Sequence, residues 1–258
     1  MQPSRLRRIA VFLPLLAAVA AGGQTVDEII AKNVEARGGM DKLKAIHSLE
    51  MEIKLNQQGL EFPGKMEMKR PGKVRMEMTL QGKTMVQAYD GQTAWMIMPF
   101  LGSNDPQVMD ADNAKEIIEQ GDLDGPMVDY ASKGNAVELV GTEDVEGSPA
   151  WKLKVSLKDG NVNYVYIDKD AGLEVKETSK RKQKASEVEV DSYLSNYQAV
   201  DGVLFPFTIE NKVQGKTVAQ VTIDSIKANV PLEDSLFAMP AAAAKPPDKA
   251  KAPEKDAK

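Results

Sequence analysis

The chain has 258 residues, 33 basic and 38 acidic side chains, one histidine, no cysteine and only 5% aromatic residues. That balance excludes a nucleic-acid protein built on a basic surface, because phosphate neutralisation supplies most of such affinity. Without cysteine there are no disulfides, no thiolate metal site and no lipid-modified N-terminal cysteine, so stability has to come from a hydrophobic core that a chain of this length can bury.

Residues 1–23 read as a cleaved secretory signal. Arg5, Arg7 and Arg8 form a basic start, "IAVFLPLLAAVAA" is an apolar run of 13 residues, and Ala18-Val19-Ala20 offers a small-x-small cleavage pattern. The run is shorter than the roughly 20 residues that span a bilayer. Losing three arginines leaves 30 basic against 38 acidic residues, a net charge of −8. The expectation is an exported protein without a membrane span.

The next stretch, "TVDEIIAKNVEARGG", predicts a helix: Val26, Ile29, Ile30 and Val34 share one face, Thr25 or Asp27 can cap it, and Gly38-Gly39 ends it. "MDKLKAI" continues as a short helical piece. From Ser48 the period changes to two. Leu49, Met51, Ile53 and Leu55 alternate with charged residues, as do Met66 and Met68, and then Val74, Met76, Met78 and Leu80. "RPGK", "QGK" and "DGQT" punctuate these runs as turns, which predicts an antiparallel meander. The alternation fails over 103–134, where Asp110 or Asp112 can cap a helix carrying Ile117 and Ile118, and Met127, Val128 and Tyr130 form a further apolar turn. Strands resume at Trp151, Leu153, Val155 and Leu157 and continue to about residue 230. Eleven or twelve strands are expected, too many for a flat sheet, which must curl or split. Residues 241–258, rich in alanine, proline and lysine, read as a disordered tail.

The chemistry is sparse. His47 has no cysteine or second histidine to join it, and no phosphate-binding glycine loop precedes a helix. "DLDG" (122–125) and "DKDAG" (168–172) resemble fragments of a calcium loop but lack its spaced carboxylates, so they read as turns. Neither catalysis, metal nor cofactor is expected. Methionine is the positive signal: eleven of thirteen lie between Met40 and Met127. A flexible thioether suits both an irregular core and a surface that binds varied apolar partners. The pattern leaves both open.

The order of motifs resembles the LolA-type periplasmic lipoprotein carriers. A strand ending in Lys-Arg-Pro, a further strand, and Asp-Gly-x-x-x-Trp leading into proline match Lys69, Arg70, Pro71, Asp90, Gly91, Trp95 and Pro99. "GPMVDYA" falls where that family has its lid, "PLEDSLFAMP" resembles its closing turn, and "NYQAVDGVLFPFTIEN" is similar to outer-membrane lipoprotein-sorting proteins. The resemblance spans about residues 25–240. It implies one lipid-binding domain over 24–240, mainly β, an incomplete antiparallel barrel of about eleven strands with an N-terminal helix and a helical lid over the open face. It implies a monomeric periplasmic carrier, not an enzyme. The cargo would be an acylated lipoprotein or lipid, taken from an inner-membrane donor to an outer-membrane acceptor. On this reading Met66, Met68, Val74, Met76, Met78, Trp95, Ile97 and Leu153 line the cavity, Met127, Val128 and Tyr130 form the lid, and Arg70 latches it through lid backbone. The chain departs from the family in replacing cavity aromatics with methionine and in its greater length. An alternative of the same fold is a lipid-sensing regulator of the RseB type.

Overall fold

The capping signals at the start of the chain set its first helix, in a computed structural model that describes residues 24–183 and 186–241. The expected signal sequence (1–23) and all of the expected tail beyond Ala241 lie outside the described residues. Helix α1 (Val26–Ala36) opens with a reciprocal cap: Glu28 N–H donates to Thr25 Oγ1 at 3.3 Å, and Thr25 N–H to Glu28 Oε2 at 2.8 Å. It ends at Gly38 and Gly39, both at positive φ. At Gly38 a side chain would strike the carbonyl of Gly202, so only glycine lets the end of α1 press onto the sheet there. A short helix α2 (Met40–Ala45) follows.

The rest is one antiparallel sheet. Its strands are β1 (Ser48–Gln57), β2 (Leu60–Lys69), β3 (Lys73–Leu80), β4 (Lys83–Tyr89), β5 (Ala94–Ile97), β6 (Gln107–Val108), β7 (Ala136–Val145), β8 (Ser148–Ser156), β9 (Val162–Asp168), β10 (Glu174–Gln183), β11 (Ser186–Val200), β12 (Val203–Val213) and β13 (Lys216–Ala228). Spatially they run β6-β5-β4-β3-β2-β1-β13-β12-β11-β10-β9-β8-β7. Thirteen strands replace the expected eleven or twelve. The additions are β6 and β7, the two free edges, which do not pair with each other, so the barrel is incomplete. Five hairpins turn on two residues with both φ positive, Gln58-Gly59, Gln81-Gly82, Glu146-Gly147, Asp201-Gly202 and Gln214-Gly215. These are the tight turns whose twist matches that of the flanking strands.

Between β6 and β7 the chain forms helix α3 (Ala111–Gln120) and a run of turns to residue 135. Asp110 caps α3, accepting from the N–H groups of Asp112 and Asn113. Gly121 ends it against the β2–β3 turn, where an added Cβ would lie 2.5 Å from the Gly72 carbonyl oxygen. No helix among the described residues is long and apolar enough to cross a membrane.

Helices and turns fill the concave side of the sheet, where the two main apolar clusters lie. In one, Leu43, Val34, Ile117, Leu123 and Val128 pack on β1, β2, β3, β12 and β13. In the other, Ile29 and Met127 pack on β8 and β9. Helix α1 reaches both through Ile29, Ile30 and Val34, so it runs along the middle of the concavity. A fully buried aliphatic side chain such as Ile29 contributes about 1.5–3 kcal/mol. On the convex side the segment after β13 returns as a strap over β2–β5. Lys69 and Lys73 hold Asp234 at 2.7 and 2.9 Å, Trp95 Nε1 donates to the Phe237 carbonyl at 2.8 Å, and Phe237 is fully buried.

Candidate functional site

The registers of β1 to β5 lay the methionines out in rows on the concave face. One row reads Leu49, Met68, Val74, Tyr89 and Ala94. The next reads Met51, Met66, Met76, Gln87 and Met96, and the third Ile53, Gly64, Met78 and Met85. Seven methionines therefore share one floor. Met51, Met68 and Met78 are buried, whereas Met66, Met76, Met85 and Met96 are half-buried. Leu43 of α2, Ile117 of α3, and Leu123 and Val128 of the 121–135 segment, where the lid is expected, cover the floor.

Of the residues expected to line one cavity, Met66, Met68, Val74, Met76 and Met78 do lie together. Leu153 lies on the same concave side but belongs to the second cluster, with Ile29, Trp151 and Met127. Trp95 and Ile97 face the opposite way. They stand opposite Ala88 and Val86, and pack with these and Met239 beneath the strap on the convex face. In "AWMI" both parities are apolar, so the local pattern could not choose between Ala94 and Met96 on one side and Trp95 and Ile97 on the other.

In the lid, Val128 packs on the methionine cluster and Met127 on the second one. Tyr130 instead reaches out of the lid and donates its hydroxyl to Asp27 at 3.0 Å, tying the segment to α1. Arg70 meets the lid, though by a different contact from the expected one. Its guanidinium donates to both oxygens of Asp124, at 2.6 and 2.9 Å, and to the backbone carbonyls of Ile46 and Leu43. The lid backbone is held by Arg37, which donates to the Asp124 carbonyl at 3.2 Å. Lys44 bridges Asp124 and Asp129, each at 2.7 Å. Asp124 is thus the hub of these contacts and is only 4% exposed. Burial by itself would push its carboxyl up; the hydrogen bonds from Arg70 and Lys44 overcome this and hold it at about 2. Sequence reasoning read Asp124 only as part of an acidic turn.

The remaining open space is of a different character. A cavity of about 900 Å³ lies between α3 and strands β9 to β11, bordered by polar groups such as Asn113, Glu116, Glu119, Asn163 and Glu177. Buried Asn163 donates to Glu119 across it at 2.7 Å. Helix α3 therefore divides the concavity: its apolar side, with Ala114 and Ile117, lies on the methionine cluster and its polar side on the cavity. His47 is exposed, and no group of three or more acidic or histidine side chains among the described residues could hold a metal ion.

No family model matches the chain, and no curated protein matches it by sequence. Solved structures do match. A DUF1329 family protein from Desulfovibrio piger is 16% identical, with a TM-score of 0.58 over 83% of this chain and 97% of that one. A putative outer membrane lipoprotein-sorting protein domain from Vibrio parahaemolyticus gives 13% identity and a TM-score of 0.58 over the same shares. A LolA superfamily protein from Nitrosomonas europaea gives 13% identity and 0.57, over 84% and 98%. The fold of this chain is the one those lipoprotein-sorting and LolA superfamily structures share.

Proposed function

We propose that the protein is a periplasmic carrier that holds the acyl chains of a lipoprotein or lipid on its methionine floor and delivers them towards the outer membrane. One observation carries the reading: seven flexible thioether side chains lie side by side under a cover held by a latch of charged side chains rather than by continuous sheet. Exposing a palmitoyl-length chain to water costs about 12 kcal/mol, at about 0.8 kcal/mol per methylene, so a lipid crossing an aqueous compartment needs a shield. Methionine walls attract such a chain without demanding one fit, which suits cargo that must leave again. In the closed form Ile117, Leu123 and Val128 take the place of cargo and keep the floor out of water. Loading then means exchanging these side chains for an acyl chain as the Asp124 hub lets go.

Native mass spectrometry of the protein purified from periplasm, followed by lipid extraction, tests the reading. Bound acyl lipid or acylated peptide is expected, and it should be lost when Met76→Glu and Met78→Glu are introduced into a chain that still folds. A protein that is isolated empty and takes up no added lipid would overturn it.

A further inference from the structure

The floor combines two properties that an acyl site does not require: its sulfur atoms are concentrated on adjacent strands, and its rows carry no carboxylate. We infer that Met66, Met76 and Met78 form a thioether site for a soft monovalent cation of the copper(I) or silver(I) class.

The placement starts from the sheet. Met66 on β2 stands directly opposite Met76 on β3, a relation that holds Cβ atoms about 4.5–5.5 Å apart. Met78 stands opposite Gly64, and its sulfur lies where a Gly64 side chain would begin. That point is in β2's own file on the concave face, two residues from Met66 and about 6.6 Å along the strand. The missing side chain at Gly64 therefore lets the Met78 thioether lean across onto β2, into the file that carries Met66. Each methionine has three rotatable bonds, so three sulfurs so placed can turn to one point, with Met51 on the far side of Met66 as a neighbour.

The donor set selects the ion. Thioethers are neutral and soft, and favour copper(I) over hard cations. Zinc would call for thiolate, imidazole or carboxylate, and calcium or magnesium for several oxygens. The chain has no cysteine, its single histidine is exposed at the start of β1, and the polar side chains in the three floor rows are Gln87 and Tyr89. An apolar site also penalises charge, which favours a monovalent over a divalent ion. Met66 and Met76 are half-buried, so both keep a solvent-facing side from which an ion can reach them.

The test titrates the full-length protein with silver(I), and with copper(I) held by a competing chromophoric chelator, while the methionine methyl resonances are followed by NMR. One ion per chain is expected, shifting the signals of Met66, Met76 and Met78 most. The triple variant Met66→Leu, Met76→Leu, Met78→Leu keeps an apolar floor of similar volume. It should lose the ion; uptake of a fluorescent fatty acid is read separately on the unmodified protein, so that failure of this site and failure of the carrier reading are distinguishable. Met76→Leu alone removes one donor with least disturbance and should weaken binding at least about tenfold, a change of about 1.4 kcal/mol. No ion retained against the chelator, or undiminished affinity in Met76→Leu, would overturn the assignment.

Discussion

Asp124 is one buried carboxylate serving two cations, Arg70 and Lys44, and this makes it the most sensitive single position in the 121–135 segment. Replacing it with asparagine keeps the shape but leaves Arg70 and Lys44 without their shared charge. Breaking a buried ion pair costs about 3–5 kcal/mol; Arg70 and Lys44 are partly exposed and water repays some of that, so about 1–3 kcal/mol is expected. The loss should appear locally, as faster hydrogen exchange over 121–135 with less change in the central strands. The pH dependence has a definite sign. Because the folded-state pKa lies near 2, below the ordinary 3.8, the Asp124 ion pairs contribute fully above about pH 4 and weaken as pH falls towards 2. Exchange in the lid, corrected for its intrinsic rate, should be flat from about pH 5 to 8 and rise steeply only in acid. Arg70 was legible because it sits in a Lys-Arg-Pro run at a strand end. Its partner was not: Asp124 is 54 residues away, and nothing in "DLDG" distinguishes an ion-pair hub from a turn.

Among the elements, β3 was the most readable and β5 the least. In β3 the apolar residues Val74, Met76 and Met78 alternate with Arg75, Glu77 and Thr79, so one face had to be inward. In β5 all four residues are apolar, and the deciding contact, the strap, comes from residues more than a hundred positions later. Phe237 is fully buried in the strap, so Phe237→Ala should destabilise the protein by about 3–5 kcal/mol. Fatty-acid uptake by the folded fraction should be unchanged, because the strap and the methionine floor lie on opposite sides of the sheet; a denaturant midpoint and a binding isotherm measured together check both. Gly64→Ala makes the contrasting case. The added methyl meets the Met78 sulfur and the Glu77 carbonyl, so it should disturb the floor itself and weaken uptake. The edge strands escaped notice for a simpler reason. β6 is two residues long, and β7 is exposed along most of its length, so neither carries a clear inward-outward pattern.

At the scale of the whole molecule the sheet divides into a methionine half, β1 to β5, and a half whose concave face is polar towards β9 to β11 and apolar under α1. The meander and its turns were legible from alternation and from Gly-containing pairs. The unequal chemistry of the two halves was not, because it depends on where α3 settles and on which of its sides meets which strands. That α3 would lie within the concavity follows from Ala114 and Ile117 only once the facing strands are known.

The strand order also fixes when this floor can exist. The two strands that meet in the middle of the sheet, β1 and β13, are the first and last in the chain, with Leu49 opposite Ala228. A chain emerging from its N-terminal end can zip β1 to β5 from local hairpins, but the row that begins at Met51 stays open on its far side until Ile226 arrives. Pairings this distant are slow to form. A chain ending before Lys216 would therefore lose the seam of the sheet rather than an edge, and should give two loosened halves in place of one cooperative unfolding transition. Until the last strand is through, the methionine face lacks its neighbours on β13, so the surface proposed to shield another molecule's acyl chain itself needs shielding during biogenesis.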